Sequence, residues 1–324
     1  MKVSVKTPAT IANLGPGFDS FGLALPLYNV ISIEETVLPG SGIEINIINE
    51  KNNTETSIKD IPTDKSNIVY KAIELLYNFI GQTPNELKIT IKTQIPVSRG
   101  LGSSSSVIVG GLIAANELLG RVADEKVLMS IATEIEGHPD NITPAFKGGI
   151  TVSSLEEDGE VIYRNLPWND DWKLMVCIPD YELSTEVSRS VLPKEVPLSS
   201  AVYNLKRSAL FVDALYNKDE ELLKASLKDR LHQPYREKLI PGLNEMTNEL
   251  KHVNGVIGTV LCGAGPSVLV MYNGVGASEI KEIVSNTWNY YNVKSTFMNL
   301  PIEKSGAIIL WWKKYYFCFY LLHF

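Results

Sequence analysis

Residues 95–120 read IPVSRGLGSSSSVIVGGLIAANELLG, and the rest of the chain is organised around them. Upstream, Leu87, Ile89, Ile91 and Thr93 alternate with polar or charged residues, the period of a half-buried strand that ends near Ile95 and is broken by Pro96. Downstream, Val107, Leu112, Ala115, Leu118 and Leu119 make one apolar helical face. Four serines offer side-chain caps near Ser103, and Gly120 is placed to stop the helix. The loop between, 97–102, contains Gly100 and Gly102. Glycine lets a backbone approach a ligand closely, and the first amides of a helix lack internal partners and carry the positive end of its dipole. Phosphate suits such a place. No Gly-Lys-Ser/Thr closes the loop, so it is not a Walker A sequence, and Ser105 stands where a dinucleotide fingerprint has its third glycine. Spacing alone leaves open a plain strand-to-helix turn or a phosphate loop.

The chain has 324 residues, 44% of them hydrophobic, enough for a large core and for two domains or one big one. A formal charge of −7 argues against a general nucleic-acid or anionic-membrane binder and leaves room for a local basic patch. Cys177, Cys262 and Cys318 are far apart with no CxxC pair, as expected of core residues in a reducing compartment. The first ten residues hold no apolar run of signal-peptide type. These features point to a cytoplasmic protein acting on small molecules, without a nucleic-acid or membrane partner.

Residues 2–7 alternate as a first strand, and PATIANLGPGFDSFGLAL, residues 8–25, follows. Its Pro8, Gly15, Pro16 and Gly17 argue against a regular element, and a loop so apolar can present Asn13 and Asp19 inside a pocket or simply be a packed turn. Strands are expected near 31–34 and 43–48, then a mobile polar loop over 49–65. A helix runs from Ser66 to Gly81 with Val69, Ile73, Leu76 and Ile80 inward, and Asp124 caps another that ends at Glu136. There EIEGHPDN crowds carboxylates onto a turn at the wrong end of a helix dipole. A magnesium ion, which takes carboxylate, hydroxyl and phosphate oxygens, would account for them. Strands over 149–155 and 172–178, helices over 199–216, 219–227 and 243–252, a hairpin over 258–272, a helix over 277–291 and a strand over 293–300 complete an α+β pattern.

Three segments in this order resemble the GHMP small-molecule kinases: PVSRGLGSS from Pro96, EGHPDN followed by Gly148 and Gly149, and GTVLCGAGPSVLVMY from Gly258. Residues 8–25, STEVSR from Ser184 and PYREKLIPG from Pro234 are similar to the homoserine kinases among them. The resemblance covers most of residues 2–310. It implies an α+β, two-domain fold, with a ribosomal-protein-S5-like domain over 1–155 and a ferredoxin-like domain over 156–310. It further implies ATP and Mg²⁺ as cofactors, a homodimer, and phosphorylation of L-homoserine to O-phospho-L-homoserine in threonine biosynthesis.

In that resemblance Pro96, Val97, Ser98, Arg99, Gly100, Leu101, Gly102, Ser103, Ser104, Ser105 and Ser106 surround the ATP phosphates. Asn67 is either an adenine contact or a helix N-terminal residue. Ser104 and Glu136 would hold Mg²⁺; Asn13, Asp19, His138 and Gly263 would line the amino-acid site; Arg189 and Arg236 would clamp its carboxylate with their bidentate forks. Asp140 and Asn141 are candidates for catalysis without a settled role. The alternatives are a sister kinase for another small alcohol, or an inactive ligand-binding relative. A dinucleotide oxidoreductase needs an acidic residue at the end of a second strand about 20 residues on, where this chain reads as helix. The final LWWKKYYFCFYLLHF has no counterpart in the resemblance. Residues 311–324 are therefore set apart as an atypical aromatic tail, too short in its apolar part for the ~20 residues of a membrane span and expected to lie outside the active site.

Overall fold

The computed structural model describes residues 1–36, 42–50, 61–84 and 86–313, with 311–313 described by backbone alone. The strands are β1 (Lys2–Ala12), β2 (Phe21–Glu35), β3 (Ile43–Asn49), β4 (Leu87–Thr93), β5 (Ile150–Leu155) and β6 (Val161–Leu166). They continue with β7 (Lys173–Pro179), β8 (Val256–Leu261), β9 (Val268–Tyr272), β10 (Ser295–Leu300) and β11 (Ile308–Lys313). One sheet has the order β11-β1-β2-β4-β3, with β5 paired to the start of β2 and β6 to β5; the other is β10-β7-β9-β8. Among the described residues only β3 and β4 run parallel.

Helices α1 (Ile68–Phe79), α2 (Ser103–Leu118), α3 (Glu125–Glu136) and α4 (Ile142–Lys147) serve the first sheet. Val3, Val5, Ile31, Ile33 and Ile89 meet Ile73, Leu76, Ile108 and Leu112 in one core. Alternation explains this, since residues two apart on a strand share a face. The second half has α5 (Thr185–Ser190), α6 (Leu198–Asn217), α7 (Glu220–Ser226), α8 (Gln233–Arg236), α9 (Leu243–Leu250) and α10 (Ala277–Tyr290). Met175, Val268 and Val270 pack on Leu250, Ile280, Val284 and Trp288, while Leu174, Val176 and Leu269 join Ile11, Leu23 and Phe211 in a core shared by both sheets.

Three expectations change. Residues 8–12 and 21–25 are strand, and only the turn between them is irregular; Pro8 is accommodated by a bulge between Pro8 and Ala9, one of the few places a strand tolerates proline. A boundary at 155/156 would split the β5–β6 hairpin, and β6, VIYRNL, went unread because only its two ends are buried. The second sheet starts at Lys173, and β11 returns to the first, pairing Lys6 with Ile308 and Lys2 with Lys313. Residues 311–313 thus extend a strand rather than begin a tail, and 314–324 lie outside the described residues, as do 51–60 of the expected mobile loop.

Candidate active site

The serines do not cap α2. Its N-cap is Gly102, left-handed at φ 63°, with no side-chain bond to the helix. The first amide to enter the helical ladder is that of Ser106, which donates to the Gly102 carbonyl at 2.9 Å. The amides of Ser103, Ser104 and Ser105 precede it and form the N-terminal donor set. Ser106 is therefore helix wall rather than phosphate lip: its hydroxyl donates to the Thr7 carbonyl at 3.2 Å, and the side chains of both Ser105 and Ser106 are buried. Close approach also dictates the glycines. A Cβ on Gly100 would run into the Cys262 carbonyl, and one on Gly102 into the Thr10 hydroxyl. The GLG turn is thereby wedged between β1 and the β8–β9 hairpin.

Arg99 faces the loop's own support. Its Nε donates to the Pro179 carbonyl at 3.0 Å, Nη1 to Val97 at 3.1 Å and Nη2 to Asp180 at 3.2 Å, with Glu182 at 3.5 Å. Together with the Leu183 amide bonded to Ser98, it ties the loop before α2 to the end of β7, while Arg99 itself still lines the cleft. Asn67 is likewise occupied: its carbonyl caps α1 at the Val69 amide and its amide reaches the Pro62 carbonyl. Asn67 is thus the N-cap of α1, and it also lines the cleft, where Ile47, Ile61, Ile68, Ile91 and Val107 supply the apolar wall beside the loop.

One cleft gathers all the candidates but Ser105 and Ser106: Asn13, Asp19, Asn67, residues 96–104, Glu136, His138, Asp140, Asn141, Arg189, Arg236 and Gly263. The turn after β1 needs left-handed residues, and Asn13 and Asp19 take φ 74° and 56°, values that Asn and Asp tolerate. Asn13 donates to the Gly263 carbonyl at 3.0 Å and accepts from the Asp19 amide at 2.9 Å. Asp19 pairs with Arg189 at 2.7 Å, each about one-third exposed. Arg236, 2% exposed, donates to the Gly263 carbonyl at 3.0 Å and to the Ser188 carbonyl at 3.3 Å. Burial first, then the neighbouring Arg189 charge, hold its pKa down to about 10.

Gly137 at φ 90° stops α3 and throws the GHPDN turn into the cleft. Ser104 Oγ lies 3.1 Å from both Glu136 carboxylate oxygens. Burial raises the Glu136 pKa, against the opposing pull of His138 and the two serines. His138 Nδ1 sits 2.6 Å from Asp140, which is 1% exposed. Burial alone would lower the His138 pKa, but the Asp140 hydrogen bond and charge raise it on balance. The bond leaves Nε2 as the ring atom facing a ligand. Asn141 accepts the Thr10 hydroxyl at 2.7 Å, so Asp140 and Asn141 brace the turn from behind. A hydroxyl and a carboxylate side by side are hard oxygen donors, the set that Mg²⁺ prefers.

The GHMP kinases N terminal domain matches residues 67–149, and the GHMP kinases C terminal domain matches 211–289. Homoserine kinase of Clostridium botulinum (strain Langeland) is 39% identical over 310 residues, covering 95% of this chain and 98% of that one. The chain belongs to the homoserine kinase family. That of Carboxydothermus hydrogenoformans is 40% identical over 308 residues, covering 95% and 97% of the two chains. The crystal structure of homoserine kinase from Cytophaga hutchinsonii superposes with a TM-score of 0.81 at 25% identity, over 95% of this chain and 97% of that one. The two-domain α+β GHMP fold and kinase activity follow from this family membership.

Sequence reasoning missed four contributors to this family site. Thr185 lines the cleft, the buried Thr10 stands behind Asn141, and Asp229 and His232 stand behind Arg236. Asp229 was legible in principle, since a carboxylate just before HQPYR is placed to cap: it accepts the amides of Leu231, His232 and Gln233. Thr10 was hidden by the reading of residues 8–12 as loop.

Proposed function

We propose that the protein transfers the γ-phosphoryl group of ATP to the side-chain hydroxyl of L-homoserine, giving O-phospho-L-homoserine for threonine synthesis. The observation that carries this reading is the company Asp19 keeps. A carboxylate and two guanidiniums, Arg189 and Arg236, line the same cleft as the N-terminus of α2. An amino acid brings one cation and one anion, so the Asp19–Arg189 pair can be exchanged for two new pairs without leaving either charge unmatched.

The chemistry is chiefly positioning. A phosphoryl-transfer transition state is loose, with charge spread over the transferred oxygens, so pre-aimed donors matter more than a strong base. The amides of Ser103, Ser104 and Ser105 at the positive end of α2 would take that charge, while the apolar wall around Ile61, Ile68 and Val107 would take the base. Ser104 and Glu136 would hold Mg²⁺, which when bound supplies charge neutralisation at the β- and γ-phosphates. Asp19 and His138 would orient the amino group and hydroxyl end, with Asp140 fixing the imidazole, and the two arginines would hold the carboxylate. The same family reading carries a cytoplasmic homodimer with it as a proposal.

The test compares specificity constants for L-homoserine and 4-hydroxybutyrate, which lacks the amine. Asp19 is about one-third exposed, so its charge contact is set at the low end, about 1.5 kcal/mol or roughly tenfold. Equal specificity constants would remove the assignment of Asp19 to the amine and, with it, the amino-acid substrate.

A further inference from the structure

We propose that His232 is a positioning residue for this reaction, joining Arg236 to the 13–20 turn so that the two halves of the amino-acid site are held as one unit. The inference rests on the proposed function and extends it to a residue that does not line the cleft.

His232 is fully buried at the start of α8, one helical turn before Arg236. Its Nε2 lies 2.8 Å from the Gly15 carbonyl, and its Nδ1 lies 3.3 Å from Arg236 Nη1. A carbonyl only accepts and a guanidinium only donates, so both partners require a neutral ring with its proton on Nε2. A second proton, on Nδ1, would face Arg236 donor to donor. The charged groups around the ring are Asp229, with Oδ2 3.5 Å from Nε2, Arg236 and, farther off, Asp19. Burial outweighs the acidic neighbours and lowers the His232 pKa, in keeping with the neutral form.

The contacts continue into the site. The His232 ring stacks on Phe18 at 5.2 Å with 19° between planes, and the guanidiniums of Arg236 and Arg189 lie 5.5 and 5.6 Å from the same ring centre. Arg236 Nη1 also donates to the Gly263 carbonyl, which accepts from Asn13 as well. Nε goes to Ser188, and Nη2 makes no hydrogen bond among the described residues. His232 thus fixes the rotation of the guanidinium about its stem and the height of the turn carrying Asp19.

The test uses His232→Phe, which keeps a ring against Phe18 and removes both hydrogen bonds, and His232→Gln, whose amide can donate to Gly15 and accept from Arg236. We expect His232→Phe to raise KM for L-homoserine about tenfold while KM for ATP stays within about twofold, and His232→Gln to recover most of the loss. An unchanged homoserine KM, or an equal rise for both substrates, would overturn the proposal. Should His232→Phe fail to fold, ¹⁵N-edited NMR of the full chain decides, because His232 must then be neutral and protonated on Nε2 at neutral pH. An Nδ1-protonated ring or an imidazolium would overturn it. A parent enzyme inactive on homoserine would instead overturn the functional reading, and the tautomer measurement separates the two failures.

Discussion

Alanine at Gly102 tests how the glycine loop before α2 is seated. The backbone there is left-handed at φ 63°, which costs a residue with a Cβ about 1–2 kcal/mol. The added methyl would also meet the Thr10 hydroxyl and backbone, and overpacking of this kind costs about 1–3 kcal/mol more. Thr10 cannot yield freely, because its hydroxyl is bonded to Asn141 at 2.7 Å. Gly120→Ala is the control: at φ 83° it bears the strain but meets no atom within 4 Å. The steric part alone should therefore place Tm of Gly102→Ala about 2–12 °C below that of Gly120→Ala, at about 2–4 °C per kcal/mol. Any relief by moving the loop displaces the Ser103–Ser105 amides, so kcat/KM for ATP should fall about 10–100-fold in Gly102→Ala and stay unchanged in Gly120→Ala. Calorimetry and steady-state kinetics read both. Equal Tm values and equal kinetics for the two variants would refute the wedge between β1 and the hairpin.

Glu136→Gln should lower turnover and blunt its response to Mg²⁺ while leaving KM for homoserine near the parent value. The same variant should melt higher than the parent at neutral pH, because burial raises the Glu136 pKa and makes the ionised form costly to fold. That gain should shrink as pH falls through the carboxyl's folded pKa, where the parent is protonated too. Arg99→Ala should raise KM for ATP severalfold and cost about 2 kcal/mol, since bonds to three backbone carbonyls are lost; Arg99→Lys should recover only part, having no fork to span them. A chain ending at Leu310 should melt below one ending at Lys313, because Trp311, Trp312 and Lys313 pair with Ser4, Val3 and Lys2. Identical melting would show that the end of β11 adds nothing to the first sheet.

What could be read from the sequence was whatever repeats locally. The β4–loop–α2 unit, the Asp124 cap that accepts from Val127, and Gly137 as the stop of α3 each rest on neighbours a few residues apart. The cleft residues were legible as types in motifs, and nearly all converge. What was not legible depended on partners distant in sequence. The tie that Arg99 makes is invisible until Pro179 and Asp180 arrive about 80 residues later to take its donors. His232 means little until the 13–20 turn closes over it from 217 residues away. Pro8 read as a break because the bulge that admits it is set by the pairing of β1 with β2, and Ser103–Ser106 read as caps because a left-handed N-cap at Gly102 has no signature of its own.

The most direct measurement is the product formed from ATP, Mg²⁺ and single alcohols, followed by ADP release and ³¹P NMR. The account predicts that L-homoserine supports ADP release and gains a phosphomonoester on its side-chain oxygen, with mevalonate, shikimate and galactose turned over far more slowly. No phosphomonoester with homoserine, or turnover of the other alcohols at the same specificity constant, would contradict it.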